Sequence, residues 1–171
     1  MSHLNVEIKA KSVNQEAVRE KLQSLHADFR GVDHQVDTYF NVSHGRLKLR
    51  EGNIENNLIH YQRENKKGPK QADIILFKSD PASTLKEILT KALGILVTVD
   101  KEREIYFIGN VKFHIDKVKE LGTFIEIEAI DAEGNIGKEK LYEQCRYYLD
   151  MLKISPEDMI SGSYSDLLIQ E

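Results

Sequence analysis

Nowhere in this chain do about 18 apolar residues run together, so no segment of it reads as a membrane-spanning helix. Its opening, MSHLNVEIKAK, lacks the apolar stretch that a secretory signal needs. A lone cysteine, Cys145, excludes an internal disulfide, and its place in a helical pattern makes it a buried structural thiol. These absences predict a cytoplasmic protein. Excess positive charge is also missing: the net charge of -4 argues against a general nucleic-acid or membrane-surface binder. Neither GxxxxGKS/T nor GxGxxG occurs, so the usual glycine cradles for phosphate are absent. Any anion site must come from local clustering of side chains.

What is present is ordinary for a folded protein: 171 residues, 40% hydrophobic and 30% charged. That length predicts a single domain over 1–171 with a substantial core. Ser12 and Gln15 form a capping-box signature, and Ala17, Val18, Lys21, Leu22 and Leu25 follow at helical spacing, predicting a helix over 14–26. Asp80, Pro81 and Ser83 open a second helix with Leu85, Ile88, Leu89, Ala92 and Leu93 on its stripe and Gly94 as its stop. A third carries Leu141, Cys145, Tyr148, Leu149 and Leu152 and ends near Lys153, Ser155 and Pro156 start a short helix, and a last turn or two covers 164–169. Between them the period changes to two. Strands are predicted over 36–40, 46–50, 58–63, 73–77, 97–107, 111–116 and 124–130, with a hairpin turn at 108–110 and a polar loop at 65–70. With the opening strand, about eight strands result. No linker, low-complexity stretch or firm repeat interrupts them.

Charge of both signs recurs on one face of these strands. NVEIKAK sets Asn5, Glu7, Lys9 and Lys11 against Val6, Ile8 and Ala10; GRLKLRE places Arg46, Lys48 and Arg50 together. VKFHIDKV separates Lys112, His114 and Asp116 from its apolar face, TFIEIEAI isolates Glu126 and Glu128, VDKEREIYF carries Lys101 and Arg103, and LIHYQRE adds Arg63. An open sheet with one wet face also alternates, but three like charges at alternate positions repel unless something anionic meets them. A sheet curled on itself resolves this. Its apolar faces pack outward under the helices, and its charged faces line a lumen able to accept a polyanion with its metal. Carboxylates are hard ligands suited to Mg²⁺ or Mn²⁺, whereas guanidinium and ammonium groups clamp phosphates.

The motifs NVEIKAK, DTYF, GRLKLRE, the KER of VDKEREIYF, HIDKVKELGTFIEIE and SYSDLL make the chain resemble the CYTH superfamily, the triphosphate tunnel metalloenzymes, over nearly its full length. EREIYFIGNVKFHIDKVKELGTFIEIE is most similar to the class IV adenylate cyclase-like branch. The resemblance implies an α+β fold: a closed antiparallel β-barrel with helices outside. It implies metal ligation by Glu7, Glu126 and Glu128, with Asp116 near a second metal. It implies triphosphate binding by Lys9, Lys11, Arg46, Lys48, Arg50, Arg63, Lys78, Lys101 and Arg103, and catalytic roles for Lys9 and Tyr39, the tyrosine positioning or deprotonating water. The implied activity is conversion of ATP to cyclic AMP and pyrophosphate, with two alternatives: hydrolysis of thiamine triphosphate, inorganic triphosphate or a nucleotide, and binding of a polyphosphate or nucleotide without catalysis. Homodimers are common among such proteins. One departure stands in the first motif, commonly ExExK, where Asn5 replaces the first glutamate. His60 and His114 are read either as lumen contacts to phosphate or base, or as solvated or core histidines.

Overall fold

The computed structural model describes residues 2–12 and 14–170. The strands are β1 (Ser2–Lys11), β2 (Asp28–Phe40), β3 (Arg46–Glu51), β4 (Asn56–Arg63), β5 (Lys70–Lys78), β6 (Ile95–Ile108), β7 (Val111–Val118), β8 (Gly122–Asp131) and the two-residue β9 (Met159–Ile160). Helices are α1 (Gln15–Ser24), α2 (Leu85–Leu93), α3 (Lys138–Met151) and α4 (Tyr164–Gln170), with a 3₁₀ turn at Pro156–Asp158. Every strand pairing is antiparallel, in the order β5-β4-β3-β2-β6-β7-β8-β1, and β5 returns to pair with β1. Eight strands therefore close into a barrel. Along one edge, β1 pairs with β5 over Ser2 to Glu7 and then with β9 at Lys9 and Ala10. Among the described residues no helix is long and apolar enough to cross a membrane.

Alternation along each strand sorts side chains by face. Outward residues of β1, β7 and β8, among them Val6, Ile8, Phe113, Ile115, Ile125 and Ile127, are buried under Val18 and Leu22 of α1 and Leu141, Cys145 and Leu149 of α3. Full burial of each such aliphatic side chain contributes about 1.5–3 kcal/mol. A second cluster, including Tyr39, Val99, Val118, Phe124 and Tyr164, fills the interior at the end approached by α4. The rings of Phe124 and Tyr164 lie 4.9 Å apart there.

Three local expectations are corrected. The first helix is capped by Asn14, whose side chain accepts from Ala17 N at 3.1 Å, whereas Ser12 N donates to Thr123 O at 3.0 Å. Strand pairing holds Ser12, so the helix starts beyond it, and Gln15 instead donates to the carbonyl of Asp116 at 2.7 Å. The second helix begins at Leu85, after a turn in which Asp80 accepts from Ala82 N, and none of its residues is buried. Its stripe therefore does not cover the barrel: Ile88 is exposed, as are Ile75 and Phe77 of β5. Finally, β2 extends back to Asp28, beyond the strand expected over 36–40, and its Asp33 and Gln35 are fully buried inside the barrel.

Candidate active site

Inward-facing side chains of the barrel enclose a cavity of roughly 860 Å³, mouth included. Pairing registers decide which groups meet. Across β1 and β8, Glu7 stands opposite Glu128 and Lys9 opposite Glu126. Across β8 and β7, Glu128 meets Lys112 and Glu126 meets His114. Across β7 and β6, Asp116 meets Arg103, and across β2 and β3, Asp37 meets Arg50. Because side chains alternate strictly, all of these point into the same interior.

The groups are held by a dense set of contacts. Arg63 Nη1 donates to Glu7 Oε1 at 2.7 Å, and Asn5 Nδ2 donates to Glu128 Oε1 at 2.6 Å. Lys9 lies 3.5 Å from Glu126, whose other oxygen is 2.7 Å from His114 Nδ1 and 3.4 Å from Arg103. Asp37 accepts from Arg50 twice at 2.9 Å and from Lys101 at 2.6 Å, and Lys48 lies 3.6 Å away. Lys48 also reaches Tyr39 Oη at 3.5 Å, and Tyr39 and Tyr61 hydroxyls are 3.3 Å apart. At the opposite rim Glu55 is gripped by Lys112 and Gln35 and lies 3.5 Å from Arg50. Its loop is fastened by Asp33, which accepts from Ile54 N at 2.8 Å and Glu55 N at 2.9 Å. The approach requires Gly52, where a Cβ would fall 2.7 Å from the Asp33 carboxylate.

Seven cationic side chains and four carboxylates line the wall: Lys9, Lys48, Arg50, Arg63, Lys101, Arg103 and Lys112 against Glu7, Glu55, Glu126 and Glu128. Among the described residues Glu128 has no ion-pair partner within 4.0 Å, and burial, then the negative charge of Glu7, push its carboxyl up to about 7. Burial alone would raise Glu126 as well, but Lys9, the His114 hydrogen bond and Arg103 override it and hold Glu126 well below the usual carboxylate range. Burial pulls the Lys9 ammonium down to about 8, against the attraction of Glu126; its Nζ sits 3.8 Å from the centroid of the Tyr164 ring. Burial and Asp37 push the Tyr39 phenol up to about 12.

Of the residues singled out from the sequence, Glu7, Lys9, Tyr39, Lys48, Arg50, Arg63, Lys101, Arg103, Glu126 and Glu128 line the cavity. Four others do not. Lys11 and Lys78 are exposed at the last positions of β1 and β5, and Arg46 is held by Asp166 of α4 at 2.9 and 2.8 Å. Asp116 is fully buried beneath the lumen, where it accepts from Arg103 at 2.8 and 2.7 Å and from Tyr164 at 2.6 Å. His60 faces outward to the carbonyl of His44, and His114 faces the lumen. Lys112, Asp37 and Tyr61 were not singled out as functional, although each sits at an alternate position of a charged or aromatic strand face. Glu55 lies in the β3–β4 loop, where no periodicity marks it.

The residues present fit a divalent cation. Two carboxylates oppose one another in register, and among the described residues one of them is in no ion pair within 4.0 Å and the buried Asn5 Oδ1 has no hydrogen-bond partner. His114, Asp116 and Glu126 also bring ligand atoms within 4.8 Å of one another, although Asp116 is committed to Arg103 and Tyr164. The CYTH domain family model matches residues 3–164 of this barrel. The chain belongs to the CYTH family. A protein of Methanocaldococcus jannaschii named "Putative adenylate cyclase" is 31% identical over 96% of this chain and 98% of its own length. The CYTH barrel described here is also similar to the solved structure of the PH1012 protein of Pyrococcus horikoshii, with a TM-score of 0.77 and 25% identity over 95% of this chain and 98% of that one. A CYTH-like fold recurs in an adenylyl cyclase-named protein from Hippeastrum, described as having a dominant triphosphatase activity. It has a TM-score of 0.63 and 13% identity over 98% of this chain and 94% of that one.

Proposed function

We propose that this protein is a metal-dependent enzyme acting on a triphosphate inside the barrel, a class IV-type adenylate cyclase that converts ATP to cyclic AMP and pyrophosphate. The observation that carries this reading is the in-register pair Glu7 and Glu128 facing a wall of lysines and arginines. Mg²⁺ or Mn²⁺ is the fitting ion, held by Glu7, Glu128 and Glu126 with Asn5 Oδ1 at hand; bound, it supplies Lewis-acid polarisation of phosphoryl oxygens. The name of the archaeal relative supports the choice of cyclase.

The chain's own residues do the rest by positioning and electrostatics, which dominate phosphoryl-transfer catalysis. Arg63 keeps Nε and Nη2 buried and, among the described residues, without a hydrogen-bond partner while Nη1 holds Glu7, which leaves two donors for a phosphate. Lys48, Arg50, Lys101 and Arg103 spread positive charge along the remaining phosphates and stabilise the leaving pyrophosphate. In the cyclase reaction the ribose 3′-oxygen forms a bond to the α-phosphorus as the bond to the bridging oxygen breaks, pyrophosphate leaves with that oxygen, and the hydroxyl proton passes to solvent water. Lys9, whose ammonium burial pulls down to about 8, stands where it can hold an oxygen of the reacting phosphate.

One observation favours hydrolysis as a second reading: the Tyr39 hydroxyl lies in the lumen between Lys48 and Tyr61, placed to orient a water. Its raised phenol supports positioning over proton abstraction. The activity described for the Hippeastrum protein belongs to that protein and, at 13% identity, adds only the shared fold. Incubation with ATP and Mg²⁺ or Mn²⁺ separates the readings by product: cyclic AMP with pyrophosphate, or orthophosphate.

A further inference from the structure

His114 is 2% exposed and lines the cavity, and its register partner on β8 is Glu126. The 2.7 Å contact between Nδ1 and Glu126 Oε1 requires the ring proton on Nδ1, because a carboxylate can only accept. That leaves the Nε2 lone pair bare, and Nε2 is buried without a hydrogen-bond partner among the described residues. Leaving such an acceptor unsatisfied costs on the order of 1–3 kcal/mol. Neighbouring cations do not satisfy it: Arg103 is committed to Asp116 and Lys112 to Glu55. Ionised phosphate oxygens are acceptors and do not satisfy it either. A Lewis acid does. A carboxylate that holds one imidazole nitrogen while the other faces a cavity is the arrangement by which histidine ligands are oriented toward metals.

The same stretch of wall is rich in negative charge: Glu128, one step along β8, is in no ion pair within 4.0 Å among the described residues, and Glu7 stands opposite it. Resting on the metal-triphosphate reading above, we propose that His114 Nε2 is a nitrogen ligand for the divalent ion of the lumen beside Glu7 and Glu128, with Glu126 placed behind the ring on Nδ1 in place of a direct ligand role. The site then favours Mn²⁺, which accepts imidazole, over Mg²⁺, which prefers oxygen and water.

The test uses Mn²⁺ alone, added to the full chain and to His114→Gln, and reads electron spin echo envelope modulation together with Mn²⁺ affinity and its competition by Mg²⁺. Expected in the unaltered protein is nitrogen modulation from a coordinated imidazole. In His114→Gln that modulation disappears and Mn²⁺ affinity drops by about 10–100-fold, with a smaller change for Mg²⁺. Mn²⁺ bound to the unaltered protein without nitrogen modulation overturns the inference and leaves the all-oxygen metal site standing. Failure of Mn²⁺ to bind at all overturns both. The unaltered protein alone decides the first point, so the result does not hang on how the variant folds.

Discussion

Glu7 of β1 and Glu128 of β8 oppose one another in register inside the barrel, and among the described residues the one hydrogen bond to the Glu128 carboxylate comes from the Asn5 amide, at 2.6 Å. The first-motif asparagine thus serves as a neutral donor that orients one carboxylate. A third carboxylate at its place would add repulsion to a pair already strained by burial. The arrangement has consequences for metal, pH and substrate.

Replacing Glu128 by Gln removes charge with little change of volume. Divalent-ion binding, measured by calorimetry, is expected to fall at least about tenfold, equivalent to about 1.4 kcal/mol, and turnover is expected to vanish in Glu128→Ala. Unchanged metal affinity in both variants contradicts the ligand assignment.

The pH dependence follows from the same group. Folding raises the Glu128 carboxyl from about 4.5 to about 7, so the native state holds its proton more tightly than the unfolded chain. The stability this contributes is complete below about 4.5 and is lost as pH rises through about 7. Ion-free protein is therefore expected to lose melting temperature across that window. Glu128→Gln or saturating Mn²⁺ should flatten the curve, and scans over pH check it.

Arg63 tests the clamp. Arg63→Lys keeps one charge but forfeits the planar fork that leaves two donors free for phosphate. Affinity for a non-reactive triphosphate analogue is expected to fall by about 10–100-fold, or about 1.4–2.8 kcal/mol, with the melting temperature little moved. Equal binding by the variant refutes a direct phosphate contact.

Asp37 tests the structural cost of the cationic wall. It is 1% exposed and faces Arg50, Lys101 and Lys48, which hold its carboxyl well below the usual range despite burial. Asp37→Ala leaves those charges uncompensated and is expected to destabilise by about 3–5 kcal/mol. The outer core gives a comparison: Phe113→Ala, in the layer under α3, is likewise expected to cost about 3–5 kcal/mol while activity per folded molecule is retained. Denaturant unfolding measures both.

Which face each charged residue occupies was legible in the sequence, because period two assigns a face whatever the register. Glu7, Lys9, Lys48, Arg50, Lys101, Arg103, Glu126 and Glu128 follow from that rule and line the cavity. Depth along the barrel was not legible. Lys11, Arg46 and Lys78 keep the inward parity of their strands but stand at strand ends, and Asp116 lies below the lumen floor. Depth depends on stagger between strands far apart in the chain, which no local pattern encodes. The front half of β2 escaped for a related reason: Asp33 and Gln35 are polar on the inside, so the usual contrast between faces is missing.

The most direct measurement is product analysis after incubation of the protein with ATP and Mn²⁺ or Mg²⁺, run beside Glu128→Ala. Cyclic AMP and pyrophosphate, formed only with metal and absent in the variant, is the predicted result. A triphosphate that raises the melting temperature yet is never turned over with any divalent ion would contradict it, leaving the barrel as a binding protein.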